Sequence, residues 1–95
     1  MSARTISEIR HQFEEIDKKI VILLAKRTSL SKEIALIKKE NKENIFQPEV
    51  WNLQLKRRLE ENKILHMDID FLKQIFNTIH AESVRTQNQE LENSK

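Results

Sequence analysis

The chain has no cysteine and no glycine, a single proline at Pro48, and only four phenylalanines and one tryptophan as its large aromatics. Without cysteine there is neither a disulfide nor a thiolate that could act as nucleophile or metal ligand. Without glycine, and with one proline, sharp turns are few. Neither charge sign dominates: 17 Lys and Arg stand against 15 acids, a net charge of +2. That balance, with no aromatics interleaved among the basic residues, argues against a dedicated nucleic-acid binder. Long hydrophobic runs are missing too. The longest, Ile20 to Ala25, is far too short to cross a bilayer. The first residues, Met1 to Arg4, lack the apolar stretch of a secretory signal. A soluble, cytoplasmic protein with no nucleic-acid or membrane partner is expected.

What the chain does have is Leu, Ile, Lys, Glu and Gln, the residues of helices. Ile6, Ile9, Phe13, Ile16, Ile20, Leu23, Leu30, Ile34 and Ile37 recur at steps of three and four, the stripe of one long amphipathic helix. Thr5 followed by Glu8 reads as its capping box, and the pattern runs to about Lys39. The polar stretch Glu40 to Asn44 ends it. Pro48, in the first helical position where its missing N–H costs nothing, opens a second helix that runs to about Asn62. Asp68 reads as the N-cap of a third, with Met67 and Leu72 as a hydrophobic staple. The third helix is expected to reach roughly Gln89, and Asn88 to Lys95 form a polar tail expected to fray in a single domain over 1–95. A helix of roughly 35 residues is about 50 Å long, whereas a compact domain of this size has a radius of gyration of about 12 Å. Two shorter helices cannot cover such a stripe, so the spacing predicts a helical homodimer with the long helices packed across the subunit boundary.

Arg27 interrupts the seam where an apolar side chain belongs. A charge there is costly unless an acid elsewhere in the fold or an anionic ligand pairs with it. Arg10, Asp17, Ser31 and Lys38 lie on one heptad line that borders the seam, with Leu24 at the missing step and Arg27 one turn beyond it. The plainer reading is a dimer seam laced with salt bridges, Asp17 pairing one of the arginines. On the third helix the apolar row Leu72, Phe76, Ile79 continues into Ser83 and Gln87, neutral hydrogen-bonding groups that either line a pocket or satisfy backbone groups in the dimer core. Three cations and two such groups around an apolar cavity would suit a small dianion. No Ser–His–acid set is assembled by the spacing. His11, His66 and His80 lack metal-ligand spacing and are expected to be exposed or beside caps. Lys56-Arg57-Arg58 reads as a solvated face, and Trp51 as core in preference to a ligand stacker.

Taken together, Ile9-Arg10, Ile16-Asp17, Leu23 to Arg27, Ile34 to Lys38 and Glu82 to Gln87, with Pro48 opening the second helix, make the chain resemble the all-helical (type II) chorismate mutase family from Ile6 to about Gln89. The resemblance implies an all-α, intertwined homodimer with two active sites, each bordered by the long helices of both subunits. It implies a Claisen rearrangement of chorismate to prephenate, serving phenylalanine and tyrosine synthesis, with no metal and no organic cofactor. Arg27, with Arg10 reaching in from the partner subunit, would clamp the two carboxylates of the substrate. Lys38 would contact a carboxylate and the ether oxygen, Gln87 would donate to that oxygen, and Ser83 would help hold a carboxylate.

One segment departs from the family. Where members read Asp-Pro-x-Arg-Glu, this chain reads Gln47-Pro48-Glu49-Val50-Trp51. In the family that glutamate meets the ring hydroxyl of chorismate, and Trp51 stands in its place; Gln47 or Glu49 are candidates to take over that contact. The alternatives are a relative acting on a modified substrate (an isochorismate pyruvate lyase or a 4-amino-4-deoxychorismate mutase) and a non-catalytic helical dimer kept as a regulatory module.

Overall fold

A computed structural model describes residues 4–94. Met1 to Ala3 and the last tail residue, Lys95, about which expectations are stated above, lie outside the described residues. The chain is all-helical: α1 spans Ile6–Glu40, α2 Pro48–Leu65 and α3 Ile69–Asn93. No strand forms among the described residues. Their starts follow the local chemistry. The Thr5 hydroxyl accepts the Glu8 N–H at 3.1 Å, and the Asp68 carboxylate accepts the Phe71 N–H at 2.9 Å. Each satisfies a donor that the first helical turn leaves unpaired. Pro48 is the first residue of α2.

The ends run further than the sequence pattern suggests. The third helix continues through Gln89, Glu90, Leu91 and Glu92 to Asn93. These residues carry little apolar periodicity but favour helix, Asn93 excepted, and the Lys39 ammonium reaches the Ser94 hydroxyl at 3.3 Å. The second helix passes Asn62 and stops at Leu65, where His66 enters the left-handed region at φ 56°. Lys42, just after α1, does the same at φ 57°. A glycine-free chain must make such turns with residues that pay a steric penalty for them.

Asn62 compensates at the α2–α3 junction. Nearly buried, its amide accepts from the Met67 N–H and donates to the Met67 carbonyl, both at 2.7 Å. Asn62→Ala removes both partners from a part-buried peptide group and should lower stability by about 2 kcal/mol, measurable by urea denaturation.

The third helix packs against both α1 and α2. Yet the single chain encloses almost no core. Ala35 is its one buried apolar residue among those described, while Ile6, Phe13, Ile16, Ile20 and Leu23 on α1 are all roughly half exposed or more. The molecule is a slab of 61 × 28 × 15 Å with a radius of gyration of 17.5 Å, against about 12 Å for a compact chain of this length. Its accessible surface is 8158 Å², where a compact monomer of this mass exposes about 5,800 Å². Among the described residues no helix is long and apolar enough to cross a membrane.

Candidate active site

Ala35, completely buried, lets α3 approach α1 closely. On either side of it along α1 stand Ser31 and Lys38, and opposite them on α3 stand Ser83 and Gln87. Each pair shares a helix face by its spacing, and the four side chains join into one hydrogen-bonded row. The Lys38 ammonium donates to the Ile45 carbonyl at 2.6 Å and to Gln87 Oε1 at 2.9 Å. Gln87 Nε2 donates to Ser83 Oγ at 3.1 Å, and the Ser83 and Ser31 hydroxyls meet at 2.7 Å. An ammonium only donates, so it fixes the Gln87 amide with its oxygen toward Lys38 and its nitrogen toward Ser83.

This row borders a cleft of about 270 Å³ between the three helices, lined by Arg27, Ser31 and Ile34 of α1, Trp51 and Gln54 of α2, and His80, Ser83 and Gln87 of α3. Lys38 lies behind Gln87 and is not itself part of the lining. Burial pushes the Lys38 ammonium below the usual lysine range, and Glu43 in the α1–α2 loop opposes that shift. Two of its three N–H groups are used within the chain, as is one of the two on Gln87. One donor on each is free for a ligand.

Arg27 makes no hydrogen bond or ion pair within the chain among the described residues. One candidate acid, Glu82, lines a second, largely apolar cleft of about 240 Å³ that also touches Arg27. Glu82 is bonded to Arg85 instead. The interruption of the α1 seam is therefore an unpaired cation lining a cleft that includes no carboxylate. Such a site suits an anion.

The structure brings together Arg27, Ser83, Gln87 and Trp51, with Lys38 joined to them through Gln87. It does not bring in Arg10. Seventeen residues before Arg27 on the same straight element, Arg10 is about 25 Å away at about 1.5 Å per residue, so only an Arg10 from another copy could reach this cleft. Gln47 also stays outside. It occupies the N-cap position of α2 without capping it, and its Nε2 is held by the Asn44 carbonyl at 2.9 Å and Glu43 at 3.5 Å. Glu49 and Val50 are exposed. Among the described residues Asp17 pairs with no arginine.

Sequence pattern passes over two lining residues. His80, expected to be exposed or beside a cap, is half-buried in the cleft with its ring parallel to Trp51, centroids 4.1 Å apart and 7° between planes. The signal was its spacing: His80, Ser83 and Gln87 repeat at three and four. Gln54 likewise sits one turn after Trp51. The other two histidines match the expectation: His66 caps α2, and His11 is exposed beside Glu15 at 3.5 Å. Among the described residues no cluster of three or more His, Cys, Asp or Glu is placed to hold a metal ion.

Compared with known families, residues 9–88 match the family described as chorismate mutase type II. Neither the curated proteins nor the solved structures provide a match.

Proposed function

The chain belongs to the chorismate mutase type II family, and from that premise we propose that it rearranges chorismate to prephenate in the synthesis of phenylalanine and tyrosine, as a cytoplasmic homodimer. One observation carries the reading: an unpaired Arg27 in a carboxylate-free cleft also lined by Ser83 and Gln87, with Lys38 bonded to Gln87 behind it.

The reaction breaks a C–O bond and forms a C–C bond within one molecule, so it needs no nucleophile, no proton transfer and no cofactor. The protein has two tasks. It must hold the flexible dianion in its compact form, with the bond-forming carbons in contact. It must also stabilise the charge that grows on the ether oxygen as the C–O bond lengthens. Arg27 serves the first task, joined by Arg10 of the partner subunit and by Ser83, each on a carboxylate. The free N–H groups of Gln87 and Lys38 serve the second. Both are held in place by bonds to the chain before substrate arrives, so little reorganisation accompanies the reaction.

Proton NMR of the protein incubated with chorismate tests this directly. Prephenate should accumulate far faster than in a protein-free control. Untouched chorismate would transfer the weight to isochorismate as substrate, then to 4-amino-4-deoxychorismate, and last to a dimer without catalysis.

The pH profile gives a second check. Lys38 must be charged to serve the ether oxygen, and burial lowers the pH at which it loses its proton. kcat/KM, which reports the free enzyme, should therefore fall on the alkaline side before an ordinary lysine would titrate. Lys38→Arg, permanently charged, should lose rate but abolish that limb.

A further inference from the structure

The Trp51–His80 pair has no part in the account above. It forms the wall of the cleft opposite Arg27's helix, and its chemistry is unusual. The two rings are stacked at 4.1 Å and 7°, and Phe46 of the α1–α2 loop meets the same imidazole at 5.6 Å and 51°. Within this aromatic packing His80 Nε2 is enclosed and has no hydrogen-bond partner, the one such side-chain atom among the described residues. An enclosed polar atom left unpaired in a cleft wall asks for an explanation.

The surrounding charges decide the form of the ring. Burial first, then Lys38, then Arg27 push the imidazole below its usual range, so the ring is neutral at neutral pH. A neutral imidazole carries one N–H and one bare nitrogen. Lys38 and Arg27 are the charged groups of α1 that act on it. From α2 come the uncharged Trp51 and Gln54, and from the loop Phe46. An N–H at the enclosed Nε2 would be a buried donor with no acceptor, and orphaned donors are rarer than under-used acceptors, so the bare nitrogen is Nε2. That places the proton on Nδ1, the nitrogen that is not sealed off. Trp51 then acts as a positioning residue. A parallel stack limits rotation of the imidazole about χ2 and holds the Nδ1 edge where it is.

We infer that His80, held by Trp51, donates an Nδ1 hydrogen bond to an uncharged hydroxyl on the ring of the bound dianion, and so makes the site selective for a hydroxyl-bearing substrate over one carrying an ammonium. This rests on the mutase reading and names the specificity of the same cleft. The selectivity follows from donor and acceptor counting. A hydroxyl oxygen has lone pairs to accept the Nδ1–H, whereas an ammonium has only donors. In this cleft an ammonium would meet an imidazole donor and the Arg27 cation, with Lys38 close behind Gln87 and no carboxylate in the lining to compensate.

The test compares His80→Leu, His80→Asn and His80→Gln on chorismate and on 4-amino-4-deoxychorismate. The Asn amide nitrogen can occupy the place of Nδ1, whereas that of Gln falls near the place of Nε2. With chorismate, His80→Leu should lower kcat/KM about tenfold, the value of one net hydrogen bond, chiefly through KM. His80→Asn should recover most of the loss and His80→Gln little. Trp51→Leu should reproduce the loss, and adding His80→Leu to it should change little more, as expected for two residues acting as one unit. The wild type should prefer chorismate, and His80→Leu should narrow that preference. A nitrogen-15 NMR spectrum of the unliganded wild type gives an independent reading and should show the Nδ1–H tautomer. An Nε2–H tautomer, equal rescue by Asn and Gln, or an unchanged kcat/KM in His80→Leu would each overturn the inference while leaving the mutase activity in place. A wild type that leaves chorismate unchanged overturns the mutase reading itself, and this inference with it.

Discussion

Arg27→Ala should lower kcat/KM for chorismate by about a hundred- to a thousandfold, with helix content and oligomeric state unchanged. The two halves of this expectation come from one fact. Arg27 has no hydrogen-bond or ion-pair partner among the described residues, so removing it leaves no buried acid stranded and breaks no internal bond. Stability has little to lose. Catalysis has much to lose, because among the described residues Arg27 is the one Lys or Arg lining this cleft, and Lys38 is set back behind Gln87. Arg27→Lys should recover part of the activity, since a point charge replaces a planar fork that can grip a carboxylate at two points. Arg27→Leu separates function from structure most sharply. If Arg27 only interrupts an apolar seam, Leu should stabilise the protein and harm nothing. A stabilised and fully active Arg27→Leu would end the case for Arg27 as a substrate clamp.

Much of this arrangement is legible in the residues alone, for reasons that are local. Thr5, Pro48 and Asp68 mark helix starts because a side-chain acceptor or a missing N–H matters at only one position of a helix. Ser83 and Gln87 stand out because they extend an apolar row into hydrogen-bonding groups one turn apart. Other features depend on where distant segments meet. A single histidine on a polar helix face has the same local pattern whether or not a tryptophan from another helix stacks on it. His80 shares the spacing of Ser83 and Gln87, but that spacing points to a stacked ring only once α2 is placed. Gln47 shows the reverse. Its position beside Pro48 suggests a site residue, but the glycine-free turn after α1 brings Asn44 and Glu43 within reach of its amide, and they hold it in the loop. The three cations on and beside one heptad line share a face, yet about 25 Å of helix separates Arg10 from Arg27. Sharing a face is not the same as sharing a site.

The same 25 Å leads to the second large effect. Ile16→Asp should abolish the dimer and, with it, both activity and most of the helical signal. Ile16 is 53% exposed in the single chain and lies in the middle of the stripe that α2 and α3 leave uncovered. The chain exposes about 2,400 Å² more than a compact protein of its mass. Doubled across a two-fold axis, that is roughly 4,800 Å², within the range of obligate dimers. A protein whose one buried apolar side chain is an alanine has little else to hold its helices together, so assembly and folding should be one transition whose midpoint rises with protein concentration. An aspartate at Ile16 would place two carboxylates in that interface, each without a partner. Light scattering after size exclusion, with circular dichroism on the same fractions, would follow both quantities. Arg10→Ala isolates the part of the argument that concerns the site. It should leave the dimer intact and lower kcat/KM. In mixtures with Arg27→Ala chains, heterodimers should regain one working cleft, because one protomer then supplies Arg27 and the other Arg10. A monomeric, helical and active Ile16→Asp, or mixtures with no recovered activity, would contradict a site shared between two copies. The exposed stripe would then need another partner, and the clamp on the substrate's second carboxylate would have to come from within the chain.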